Sequence, residues 1–197
     1  MSPGLPSRES PTHDDPLLDL TALTLTTDDF GLFGIEPRFE LQVPLLDDTW
    51  RRLQAQVHPD RFVQSDDATA RRAMQWSMRI NQAYRRLRDP VSRAAYLCEL
   101  RGVTMEGNRA TLPPAFLMQQ MQWREALAQA GSSHEVEVLE AEVRTAASSL
   151  TTQLRAQLDE HSDLAQGAVE AAQTVQRLMF LSKFQQDIDR KMDALQI

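Results

Sequence analysis

Apolar residues along this chain recur at helical spacing and almost nowhere at the two-residue period of a strand. Leu46, Trp50, Leu53 and Val57 fall at i, i+4, i+7 and i+11, which predicts a helix over 45–57 with one inward face. Pro59 pushes His58 out of the α region and ends that helix. A second helix is predicted from Asp67 to Leu87, with Ala70, Ala73, Ser77, Ile80, Tyr84 and Leu87 on one face. The two make an antiparallel pair with His58-Pro59-Asp60 in the exposed loop 58–66 between them. Before the pair, Asp28 or Asp29 can cap a short helix whose Phe30 and Phe33 read as core and whose stop is Gly34. After it, Asp89-Pro90 starts a helix with Val91, Ala94, Leu97 and Leu100 on its stripe, stopping at Gly102.

Residues 103–113 read as a linker containing Gly107, Asn108 and Pro113. Three long helices follow. The first spans 114–130 with Gly131 as its stop. The second spans 133–158, with Val136, Leu139, Val143, Ala146, Leu150 and Leu154 inward. The third spans 163–195, with Leu181, Phe184, Ile188 and Leu195 on one stripe. Short connections make such helices antiparallel neighbours, so a three-helix bundle is expected over 114–197. The fold class is all-α, a helical hairpin unit (28–102) joined to that bundle.

Residues 1–27 hold Pro3, Pro6, Pro11 and Pro16 among Ser, Thr and Asp and read as a disordered tail, with Leu17–Leu25 as its apolar part. That end is acidic and proline-broken, so neither a signal nor a transit peptide is expected. The 197 residues carry a net charge of −7: −3 in 1–27, +1 in 28–104 and −5 in 105–197. No segment is basic enough to argue for nucleic acid. No apolar run approaches the ~20 residues of a membrane span. Cys98 is the single cysteine, which excludes an internal disulfide and fits a reducing compartment; the cytoplasm is expected. It reads as packing, not as a reactive thiol. The four histidines are scattered, so neither a metal site nor a cofactor is expected.

Two stretches carry candidate chemistry. His58-Pro59-Asp60, taken alone, reads as a surface turn; a catalytic His–Asp pair is not expected, because across the proline the side chains should diverge and no nucleophile lies near in sequence. In 114–130, Phe116, Trp123 and Leu127 share one sector, while Leu117, Met118 and Met121 occupy another, with Arg124 and Glu125 around it. Either the neighbouring helices cover both sectors or the second is a partner site rimmed by polar groups.

The tripeptide, the basic helix before it, Arg61-Phe62 after it and NQAYRRLRDP at Asn81–Pro90 together resemble the J domain, which docks on DnaK-type ATPase chaperones. NQAYRRLRDPVSRAAYLCELRG (Asn81–Gly102) and DFGLFGIEPRFEL (Asp29–Leu41) are similar to one subfamily, the HscB-type co-chaperones of iron–sulfur cluster assembly. AFLMQQMQWREAL (115–127) and TVQRLMFLSKF (174–184) match that family's bundle. The resemblance implies that His58, Pro59, Asp60, Arg51, Arg52 and Arg61 contact a DnaK-type ATPase (HscA) and stimulate it. It also implies that Leu117, Met118, Met121, Arg124, Glu125 and Phe180 bind the scaffold protein IscU. Gln122 and Leu112 depart from the family's usual acidic and basic residues there. A monomeric adaptor that is not an enzyme is expected. The rival readings are a J-domain protein with another client and a helical scaffold in which the tripeptide is only a turn. Binding to purified IscU separates the first, and sedimentation the second.

Deleting residues 1–25 is expected to leave helical content and melting temperature unchanged, checked by circular dichroism, because the segment is too polar and proline-rich to pack.

Overall fold

The computed structural model describes residues 24, 26–62, 66–105 and 112–195. The expected tail, apart from its last residues, and Gly107 and Asn108 of the expected linker lie outside the described residues. Seven α-helices and no strand appear among those described: α1 (Asp29–Leu32), α2 (Val43–Val57), α3 (Asp67–Arg88), α4 (Pro90–Leu100), α5 (Pro114–Gln129), α6 (Ser133–Arg155) and α7 (Leu164–Leu195). The all-α architecture of a helical hairpin followed by a bundle agrees with the sequence pattern.

α2 and α3 form the antiparallel hairpin, and polar side chains fix its register. Tyr84 donates its hydroxyl to Asp47 (2.8 Å). Trp50 donates its indole N–H to Asn81 (3.0 Å) and stacks on Tyr84 with centroids 4.8 Å apart. Ser77 and Gln54 bond at 3.1 Å. Partner numbers rise on one helix as they fall on the other. Inside, Leu46, Leu53 and Val57 of α2 face Ala73, Ile80 and Leu87 of α3, all buried. Ala70 was expected on this stripe but is exposed, and Ala83 replaces it as a buried residue. The apolar face therefore begins one turn later than the pattern suggested.

Asp28 is the cap of α1, accepting from the Gly31 N–H at 2.9 Å, and Gly34 ends the turn at φ 64°. Asp29 is instead fully buried, held by Arg79 at 2.6 Å and Arg86 at 3.1 Å. Arg79 and Arg86 turn inward in this way, while Arg71, Arg72, Arg85 and Arg88 of the same helix are exposed. A buried carboxylate without a cation is costly, so flanking arginines lean inward to meet it. The Asp29 N–H also donates to the Tyr96 hydroxyl (3.0 Å), and Arg86 lies 4.6 Å over the Tyr96 ring. One residue thus ties α1, α3 and α4 together.

Asp89 caps α4 as expected, accepting from Ser92 N–H at 2.7 Å, with Pro90 in the first turn. Ala94, Leu97 and Cys98 are buried, whereas Leu100 is exposed, against expectation. Burial pushes the Cys98 thiol up to about 11, consistent with an inert packing residue. α4 packs on α7, so a single core runs from Phe30 and Leu87 through Leu97 to Val175, Phe184 and Ile188.

Within the bundle, α6 and α7 share the most extensive contact, and α5 lies more loosely on both. The buried residues of α6 are those the spacing predicted, with Ala146 half-buried. Two ends differ. Gly131 is not a left-handed stop; its N–H donates to Glu135 (2.8 Å) as part of the Ser132–Glu135 capping box that starts α6. The α-helical part of α6 ends at Arg155, and a π-helical turn over Ala156–Glu160 buries Gln157 and Leu158. A Cβ on Gly167 would sit 2.2 Å from the Gln157 carbonyl oxygen, so only glycine allows α7 to return this closely.

Asp29→Asn leaves two guanidinium groups facing an uncharged side chain. A loss of about 3 kcal/mol is expected, read as a melting temperature lower by roughly 10 °C.

Candidate functional site: an exposed hairpin tip and a second apolar helix face

His58 leaves α2 in extended backbone (φ −60°, ψ 131°), as a residue before proline should, and Pro59–Phe62 form one 3-10 turn closed by Arg61 N–H to the His58 carbonyl at 3.0 Å. The imidazole does not diverge from Asp60. Its Nδ1 accepts the Asp60 backbone N–H at 3.3 Å and lies 3.5 Å from the Asp60 carboxylate. The expected divergence is thus corrected: the tight turn brings the Asp60 carboxylate back to the Nδ1 atom of His58. Both side chains are exposed. The turn presents a polar surface.

Arg51, Arg52 and Arg61 are exposed beside it. Arg61 donates to the Ala55 carbonyl (3.2 Å), which pins it to the end of α2. Arg51 pairs with Asp48 at 2.5 Å, and Arg52 donates to the Thr49 hydroxyl (3.0 Å). Asp47 is engaged by Tyr84 and, at 3.6 Å, by Arg88 of α3. One of the two acidic residues of α2 therefore faces the hairpin seam. His58, Asp60 and Arg61 lie at the C-terminal end of α2, and Arg51 and Arg52 near the middle of that helix.

On α5, Trp123 is 5% exposed, while Leu117, Met118 and Met121 are 41%, 63% and 71% exposed. The helix has two apolar sectors, and only one is covered. Phe116, Trp123, Phe180 and Phe184 form the aromatic seam to α7: Phe116 meets Phe180 edge-on at 5.9 Å, and Phe180 stacks on Phe184 at 5.8 Å. Arg124 lies 5.4 Å over the Phe180 ring. Phe180 is half-buried at the edge of the seam, and Arg124 bridges from it to the exposed sector, on which Met121 and Leu117 are about one and two turns away. Glu125 points along the helix to Gln129 (3.1 Å) and makes no described contact with Phe180. Gln122 is exposed and Leu112 half-buried.

The sequence pattern missed exposed Met74 and Met78 on the outer face of α3, because it sought the inward stripe. It also missed Arg93 and Asp159, polar residues of the hairpin base whose partners are far away in sequence. Among the described residues, no cluster of three His, Cys, Asp or Glu could hold a metal ion. No described helix is long and apolar enough to cross a membrane.

A family model described as the HSCB C-terminal oligomerisation domain matches residues 112–189. A co-chaperone protein HscB homolog of Azoarcus sp. (strain BH72) is 42% identical over 177 residues, covering 89% of this chain and 99% of that protein. The homolog from Burkholderia mallei (strain SAVP1) is 43% identical over 178 residues, covering 88% and 99%. The solved structure of chaperone HscB from Vibrio cholerae superposes with a TM-score of 0.74 at 32% identity, over 86% of this chain and 99% of that one. The human co-chaperone HscB gives 0.78 at 25% identity, over 97% and 93%.

The two sectors of α5 should respond differently to truncation. Replacing Leu117, Met118 and Met121 together by alanine should shift stability by less than about 1 kcal/mol, since surface substitutions cost little. Trp123→Ala should cost about 3–5 kcal/mol as a core truncation. Phe180→Ala, at the edge of the seam, should fall between them. Urea unfolding of the three variants gives the order.

Proposed function

The chain belongs to the HscB family of co-chaperones, and from that premise we propose that it couples a client to a DnaK-type ATPase in iron–sulfur cluster assembly. Residues 28–102 act as the J domain. His58, Pro59 and Asp60, with Arg51, Arg52 and Arg61, dock on the ATPase (HscA) and bias it toward hydrolysis. Residues 114–197 carry the scaffold protein IscU on Leu117, Met118, Met121, Arg124, Glu125 and Phe180. The observation that carries this reading is the pairing, on one continuous core, of an exposed His58–Asp60 tip with an exposed apolar sector on α5.

The protein forms and breaks no covalent bond in this role. Its contribution is linkage. Holding the client and the ATPase on one body raises the client's effective concentration at the chaperone. If tip contacts favour one state of the ATPase, they shift its equilibrium by their differential free energy. The exposed His58 imidazole and Asp60 carboxylate supply directional contacts, while the arginines steer an acidic partner face. Asp48 neutralises Arg51 locally, so Arg52 and Arg61 carry most of that steering. The methionines suit a client surface because they repack against an irregular partner. The adaptor works as a monomer, checked by sedimentation velocity.

His58→Gln should return the rate of HscA to its basal value while IscU binding persists. The triple alanine variant of Leu117, Met118 and Met121 should do the opposite. It should bind IscU weaker by about 2 kcal/mol or more and still stimulate the ATPase in the absence of client. Steady-state ATPase assays and calorimetry read the two effects. Full stimulation by His58→Gln would reduce the tripeptide to a turn. Unchanged IscU affinity in the triple variant would move the client to another surface.

A further inference from the structure

The α2–α3 hairpin carries the tip, yet α3 is the one helix on which α2 packs extensively. How the hairpin leaves the bundle is therefore decided at its base. There the α1–α2 loop meets the π-helical turn Ala156–Glu160. Both oxygens of Asp159 are used: one accepts Phe39 N–H at 2.7 Å and the other accepts Glu40 N–H at 2.8 Å, across 120 and 119 residues of sequence. The Phe39 carbonyl accepts from Arg93 Nε at 2.8 Å, and the same guanidinium donates to the Leu87 carbonyl at the end of α3. Arg93 is buried and lies 5.2 Å over the Phe39 ring. Outside this knot, Arg155 meets Glu40 at 3.6 Å.

We propose that Asp159 is a positioning residue: by clamping Phe39 and Glu40 it fixes the angle of the α2–α3 hairpin on the bundle, and so sets client and chaperone sites in register. The chemistry suits a clamp. A carboxylate that accepts two consecutive backbone N–H groups makes strong, directional, charge-assisted bonds. Arg93 links the same peptide to the end of α3, so both chain segments entering the hairpin are held at one point. The packing of α4 on α7 holds the end of α3 but not the start of α2. Without Asp159 the hairpin keeps its own core, and its leading segment is left with the Arg93 bond to the Phe39 carbonyl and the exposed Arg155–Glu40 pair. Its functional part rests on the client reading above; its geometric part does not.

The test has two arms. Spin labels at A55C on α2 and A141C on α6, both exposed, report the hairpin–bundle distance, and Cys98 is buried and takes no label. The parent should give one narrow distance distribution. Asp159→Ala should broaden it with helical circular dichroism unchanged, and Asp159→Asn, which keeps one acceptor, should broaden it less. In the ATPase assay, Asp159→Ala should stimulate HscA like the parent without client. It should need about tenfold more IscU for half of the client-dependent increment, as effective concentration falls. A short bismaleimide cross-link between E40C and R155C in the Asp159→Ala protein, carrying no spin labels, should restore the increment. Distributions in both variants as narrow as the parent's would overturn the proposal. So would loss of fold in both, since Asp159 would then hold the structure and not the angle. A broadened distance with an unchanged IscU requirement would overturn its functional part. Failure of the parent to bind IscU would refute the client reading and leave the distance arm to decide the clamp.

Discussion

The packing of α4 on α7 makes this chain one body. Ala94, Leu97 and Cys98 are buried on α4, and Ala168, Ala171, Ala172, Thr174 and Val175 are buried on the first half of α7. Small residues let helices approach closely, and α7 is covered on more than one side here because α4 and α6 both lie on it. Beyond Leu178 the buried positions of α7 narrow to Leu181, Phe184 and Ile188, the single stripe of a helix with one partner layer. A hydrophobic core shared in this way gives the hairpin a fixed platform, which two free-standing domains on a flexible linker would lack.

From that platform the two surfaces differ in physical character. The tip is polar, built of backbone geometry and a ring whose Nδ1 is occupied by its own turn. Such a surface offers directional bonds. The α5 sector is apolar and adaptable, and such a surface offers apolar area to desolvate. Between them stand two buried charge systems, Asp29 with Arg79 and Arg86, and Arg93 with the peptides of Phe39 and Leu87. Buried charges of this kind add little net stability compared with an apolar core, but they penalise any other arrangement of the helices they join. In a helical protein, whose apolar faces can slide, that penalty is a source of definition.

The pattern of apolar residues fixed much in advance. It located every helix longer than one turn within two or three residues, because the 3.6-residue period survives whatever the helix packs against. Val136, Leu139, Val143, Leu150 and Leu154 needed no partner to be recognised as inward. Asp89-Pro90 marks a helix start because capping is local chemistry. The two sectors of α5 were also legible, since helical rotation alone separates Trp123 from Met121.

What the sequence could not supply were interactions between residues remote along the chain. Which sector of α5 would be covered depended on where α7 lies, and so on the Phe116–Phe180–Phe184 seam. Asp28 and Asp29 are equivalent as caps on paper; only the approach of Arg79 and Arg86 from α3 turns one of them inward. The return of the Asp60 carboxylate to the Nδ1 atom of His58 follows from the 3-10 turn, not from the spacing. Asp159 is an unremarked acid near a helix end until the fold brings Phe39 against it. Periodicity and capping are properties of a few consecutive residues, so the sequence alone decides them. The partner of a buried charge is a property of three-dimensional proximity, and only the tertiary structure decides that.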